Sequence, residues 1–292
     1  MKIYRLFPVL LAVLVIVSCK TEYDILLASG DNEAKYDAAF DYFNAGQYRK
    51  AASLFESMAF AYNGTARDDT VQYYWGLCNY MDGDYDTAET NFKTFITNFH
   101  GSPFTEEATY LRVKCLYDFT LRYELDQVPT NNAITAISEY IIEYPQTEHL
   151  EECMGMLDEL GARLDRKAYE NARLYYKMED YLAAMTALRN VLKDDADNIY
   201  REDILYYTAM ASYKYAFNSV EARQKDRYLS FVDDYYNFIG EYPESSYRKE
   251  LDTMYKRALN ALGRFNGSAE ELEGKEKEFE KERQQLLRHQ QE

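Results

Sequence analysis

Apolar residues recur at helical spacing through the middle of the chain, and one phrase of them repeats. Gly46-Gln-Tyr48-Arg-Lys-Ala51-Ala-Ser-Leu-Phe55 and Gly83-Asp-Tyr85-Asp-Thr-Ala88-Glu-Thr-Asn-Phe92 both read Gly-x-Tyr-x-x-Ala-x-x-x-Phe, 37 residues apart. A third copy is Asp180-Tyr181-Leu-Ala-Ala184-Met-Thr-Ala-Leu188. Twelve residues before each alanine stands a small residue: Ala39, Gly76 and Ala172. Glycine can end a helix in the left-handed region without a Cβ penalty. Two small residues facing each other let two helices approach closely. The aromatic four residues after the alanine lies on the same face and fills the groove to the next pair. The pattern therefore predicts helix–turn–helix units, and no segment carries a strand signal.

This phrase resembles the tetratricopeptide repeat, a unit of about 34 residues. Two weaker copies extend it: Asn132-Ala133-Ile-Thr-Ala-Ile137 leads into Glu143-Tyr-Pro145, and Phe231-Val-Asp-Asp-Tyr235 leads into Glu241-Tyr-Pro243. In both, proline stops the second helix eight residues after the apolar position. The fold expected is all-α: about five tetratricopeptide-like helix pairs over 33–262, stacked as a right-handed superhelix, with a helix around Ser246–Leu262 capping the last. Extended loops are expected at Tyr123 to Asn132 and Asn218 to Asp226. After residue 263 the text becomes charged, with a Ser268-x-x-Glu271 cap and Glu271/Lys275 and Glu273/Lys277 pairs that favour helix. Leu272, Phe279 and Leu286 lie seven apart. Residues 263–292 read as a charged, solvated helical tail rather than a coiled-coil seam.

The amino terminus is a different kind of segment. A basic start is followed by an apolar run of 12 residues, Leu6 to Val17, and then Ser18-Cys19-Lys20. The run is short of the ~20 apolar residues that span a bilayer core, and its flanks are those of a secretory signal. Ile16-Val17-Ser18-Cys19 resembles a bacterial lipobox. That resemblance implies a signal peptide over 1–18, acyl and diacylglyceryl groups on Cys19, and a lipidated tether over 19–32. More than one acyl chain makes such an anchor durable, at ~0.8 kcal/mol per buried CH₂. Lys20 after the cysteine, rather than Asp, implies outer-membrane rather than inner-membrane residence.

Charge removes one class of partner. The chain holds 33 Lys and Arg against 50 Asp and Glu, a net charge of −17, and loss of Lys2 and Arg5 with the signal would make it −19. Such a field repels phosphate backbones and anionic lipid. Five prolines and 12 glycines are few for an all-β chain of this length, and 30 tyrosines imply broad amphipathic packing surfaces. Cys78, Cys115 and Cys153 have no metal-ligand spacing and read as small apolar residues on helix faces. His100, His149 and His289 are far apart in sequence. There is no Gly-rich phosphate loop, nucleophile elbow or HExxH. The residues thus offer no catalytic constellation, no metal site and no cofactor other than the lipid on Cys19, and an enzyme is not expected.

The lipobox, the five repeats and the phrases Asn98-Phe-His-Gly-Ser-Pro103, Glu143-Tyr-Pro145 and Glu241-Tyr-Pro-Glu-Ser-Ser246 together resemble the BamD family, the repeat lipoproteins of the outer-membrane β-barrel assembly machinery. The resemblance covers about Cys19 to Leu262. It implies an assembly factor on the periplasmic face of the outer membrane. The C-terminal repeats would dock the barrel component, and the N-terminal repeats would receive the last strand of unfolded barrel proteins. Tyr73, Tyr74, Tyr110 and Tyr117, on first helices of the second and third pairs, are candidates to line that substrate groove. Tyr207 and Tyr236 are candidates for partner docking. A packing role is the competing expectation for each of the four groove candidates. The alternative functions are a repeat-based envelope lipoprotein that binds glycan or nutrient, or a cell-envelope scaffold. Trp75 is the single tryptophan, which is sparse for sugar stacking.

Overall fold

Why the repeat phrase folds as it does is visible at its turns. The structure is a computed structural model, and it describes residues 21–289. Among these residues every regular element is a helix: α1 (Glu22–Leu27), α2 (Asn32–Asn44), α3 (Tyr48–Tyr62), α4 (Asp68–Asp82), α5 (Tyr85–Asn98), α6 (Thr105–Asp118), α7 (Val128–Glu143), α8 (Leu150–Lys177), α9 (Tyr181–Asp194), α10 (Arg201–Phe217), α11 (Glu221–Glu241), α12 (Arg248–Leu262) and α13 (Ser268–His289). Gly46 and Gly83 sit at φ 71° and 84° after α2 and α4, where a Cβ would be strained. Asp84 and Asp180 then accept from the backbone N–H three residues on and start α5 and α9. The third copy puts Glu179 at φ 63° where the first two have glycine, a conformation that costs a non-glycine residue about 1–2 kcal/mol.

The predicted register is the observed one. Ala39, Ala51, Ala88, Ala133 and Ala184 are fully buried, as are Phe55, Phe92, Leu188 and Phe231. A Cβ built on Gly76 would lie 2.9 Å from the Phe92 ring, so the glycine is what lets α4 and α5 close. The helices fall into two compact units. The first runs to Leu121 and includes Asp126–Leu157; the second comprises Arg122–Leu125 and everything from Asp158. The boundary therefore falls within α8, which at 28 residues is the longest helix. The first unit packs around Leu54, Phe55 and Met58 and, further along, around Phe92, Phe95 and Leu111. The second packs around Phe231, Val232, Phe238 and Leu262.

Four expectations are corrected. Residues 22–27, read as tether, form α1, whose Thr21 cap is reciprocated by Asp24 and whose Tyr23 hydroxyl donates to the Lys50 carbonyl. The segment from Asn218 is a loop only to Val220, because α11 starts at Glu221 and takes up the extra residues as helix. The earlier loop ends at Gln127, with Pro129 in the first turn of α7. The charged tail is not simply solvated. Leu272 joins the second unit's core, and Phe279 stacks on Tyr236 with ring centroids 4.6 Å apart. Lys225 pairs with Glu271 at 2.9 Å, and Lys275 pairs with Asp233. A Cβ on Gly240 would meet the Phe279 ring at 3.2 Å, so that glycine admits α13. The spacing of Leu272 and Phe279 thus marks the face that α13 turns to the second unit's core. The side chain of Leu286 lies outside the described residues, as do the signal segment and Cys19.

Candidate functional site

The tyrosines are placed first by packing. Tyr73 keeps 6% of its surface and stacks on Phe104 at 4.5 Å. Tyr110 keeps 7%, stacks on the His149 imidazole at 3.5 Å, and donates its hydroxyl to Glu152 at 2.6 Å. Tyr236 is half-buried, with one ring face taken by Phe279 and its hydroxyl bonded to that of Tyr255. These three rings hold helices together and leave little for a groove or a docking partner. Tyr74, Tyr117 and Tyr207 are half-buried and retain accessible surface. Tyr74 nevertheless packs edge-on against Phe40 and Phe43, and Tyr207 packs against Tyr176 and Tyr206. The structure brings Tyr73 and Tyr74 into contact at 5.4 Å.

Four of the tyrosines share a motif with acidic residues. Tyrosine hydroxyls donate to carboxylates on a neighbouring helix: Tyr206 to Glu250 at 2.8 Å, Tyr235 to Asp252 at 2.7 Å and Tyr247 to Asp203 at 2.7 Å, besides Tyr110 to Glu152. The ring is buried while the hydroxyl reaches an ion at the rim. The bond to Asp203, then burial, pushes the Tyr247 phenol up to about 12, and burial before all else pushes Tyr206 and Tyr235 higher. These phenols stay protonated and serve as donors. Cys78, Cys115 and Cys153 are buried and free, and burial pushes the first two up to about 12, far from a reactive thiolate. Among the described residues no His, Cys, Asp and Glu group could hold a metal, and no helix is long and apolar enough to cross a membrane. His149 faces Glu107 at 3.5 Å, and His100 is exposed.

One surface was missed by the sequence reading. Within the second unit, a groove of about 810 Å³ runs between the C-terminal half of α8 and α9. Leu174, Tyr175 and Met178 on its α8 side are 50%, 41% and 58% exposed. Asp165, Asp194 and Asp195 stand at its rim. Burial pushes the Asp165 carboxyl up; the Ile199 N–H, 3.1 Å away, pulls it back, and Asp195 pushes it up again. The signal was legible in principle. Tyr169, Ala172 and Tyr176 already account for the core-facing line of α8, so Leu164, Ala168, Tyr175 and Met178 form a second apolar line. A helix with two such lines needs two neighbours.

The outer membrane protein assembly factor BamD of Caulobacter vibrioides is 24% identical over 251 residues, covering 84% of this chain and 80% of that one. Among solved structures, the TPR2AB-domain:pHSP90-complex of yeast Sti1 aligns over 78% of this chain and 98% of its own, at 14% identity and a TM-score of 0.37. Residues 29–229, more than half of the chain, match the family described as YfiO, outer membrane lipoprotein. The chain belongs to that family of outer membrane lipoproteins.

Proposed function

We propose that this chain is an outer-membrane protein assembly factor: a lipid-anchored, non-enzymatic scaffold that docks the barrel component of the β-barrel assembly machinery and receives unfolded barrel proteins. The observation that carries the reading is the family match over 29–229, beside a relative named as an outer membrane protein assembly factor along most of both chains. The all-helical repeat pairs support it, because stacked pairs offer extended surfaces for polypeptide binding without chemistry. Acylation of Cys19 would hold the chain on the periplasmic face of the outer membrane. The first unit would receive the aromatic-ended last strand of a substrate, and the second would dock the barrel component.

Capture from envelopes tests this division. Photo-crosslinkers at Tyr74 and Tyr117, the half-buried candidates of the first unit, should trap peptides that end in an aromatic residue. One at Tyr207 should trap the barrel component. A chain that traps neither, yet shifts on addition of an oligosaccharide, would instead be a nutrient-binding lipoprotein.

A further inference from the structure

The α8–α9 groove is built by residues 164–198 and lies wholly within the second unit. Its geometry is that of a seat for a helix. Leu164, Ala168, Asn171 and Tyr175 follow one another at steps of four, three and four along α8, and Met178, whose N–H still bonds to the Leu174 carbonyl just past the helix end, continues the line. That line is about 21 Å long at 1.5 Å per residue. Ala168, Ala172 and Ala187 are among the residues that line it. Small residues at a crossing allow a whole helix backbone, rather than a single side chain, to approach. The wall is apolar and exposed at Leu174, Tyr175 and Met178.

Charge says which helix. Asp165, Asp194 and Asp195 line one end, and among the described residues none of them forms an ion pair. Burial and then the neighbouring Asp195 raise the proton affinity of Asp165, which a cation beside it would relieve. The groove holds no basic side chain. An acidic or neutral helix would leave these carboxylates unpaired, while Lys or Arg beside an apolar stripe would pair them. We infer that this groove docks a cationic amphipathic helix of a partner protein, its apolar stripe on the Tyr175–Met178 wall and its basic residues at Asp165, Asp194 and Asp195. The groove is present whichever envelope assembly the chain serves.

The test uses the full chain in zwitterionic nanodiscs and a fluorescent helix-forming peptide about four turns long. The peptide carries Leu at i, i+3, i+4 and i+7 with Lys and Arg elsewhere, and empty discs serve as the blank. Anisotropy should report saturable binding. Met178→Glu, and separately the pair Asp194→Lys and Asp195→Lys, should each weaken it by roughly tenfold or more. Phe60→Glu and Ile142→Glu, on exposed positions of the first unit, should leave it unchanged. Replacing the peptide's Lys and Arg with Glu should abolish binding. The inference is overturned if the groove variants bind like the parent, which would mean adsorption to an acidic surface, or if the Glu peptide binds equally. It is also overturned if the chain self-associates through the groove, shown by dimerisation that Met178→Glu abolishes, because the occupant would then be a second copy.

Discussion

Phe92→Ala should lower the stability of the first unit by about 3–5 kcal/mol, the range for removing a fully buried aromatic ring. Phe92 has no exposed surface and packs with Tyr73 and Phe95 in the core that joins α4, α5 and α6. A second substitution shows that the loss belongs to the repeat geometry. Gly76→Ala should gain about 1 kcal/mol from helix propensity, but its new Cβ would lie 2.9 Å from the Phe92 ring. Overpacking of that kind costs about 1–3 kcal/mol, so the single variant should lose stability. In the Phe92→Ala background the obstacle is gone, and Gly76→Ala should turn neutral or stabilising. Urea unfolding followed by circular dichroism gives the free energies, and hydrogen exchange in α4 and α5 assigns them to the first unit. Additive losses would mean that Gly76 and Phe92 do not meet.

Arg189→Ala should destabilise the second unit by about 3 kcal/mol at neutral pH, with a loss that shrinks on acidification. Asp234 of α11 is 8% exposed, and both its oxygens accept from one Arg189 Nη, at 2.7 and 2.9 Å. Burial pushes the Asp234 carboxyl above the ordinary aspartate range, against the downward pull of Arg189 and Ser212. Removing the arginine leaves a buried carboxylate uncompensated, which costs about 3–5 kcal/mol; the low end applies because Arg189 is itself half exposed. The sign of the pH dependence follows from the upward shift. The folded state holds the proton more tightly than the unfolded chain, so the stabilisation from protonation is complete below the unfolded value and is lost as pH rises through the folded value. Without Arg189 the folded value climbs further, and the deficit relative to the parent grows over that window. Asp234→Asn in the Arg189→Ala background should recover much of the loss at neutral pH. A deficit that does not change with pH would show that Arg189 acts by packing alone.

Much of the fold is legible in the sequence because the repeat phrase carries steric information. Ala51, Ala88 and Ala184 are spaced as helix crossings demand, and each is fully buried. Gly46 and Gly83 mark turns that need positive φ. The division into two units is not legible, since the boundary lies in a helix whose text is continuous from Leu150 to Lys177. The packing of α13 is masked by its charge: two apolar residues, Leu272 and Phe279, suffice to seat it because Gly240 lets the ring come close. The tyrosines could not be sorted in advance. A tyrosine that glues two helices and one that lines a groove occupy the same helical register, and only the partner across the gap, the Phe104 ring for Tyr73 or Glu152 for Tyr110, decides between them. The α8–α9 groove escaped for a related reason, because its apolar line shares a helix with the core-facing one.

The most direct test of the proposed assembly role is depletion of this chain in its own cell, followed by quantitation of the outer-membrane proteome. The account predicts that β-barrel proteins of the outer membrane fall together and that the envelope-stress response rises, while lipoproteins and inner-membrane proteins hold their levels. Unchanged barrel proteins alongside a loss of oligosaccharide uptake would contradict it.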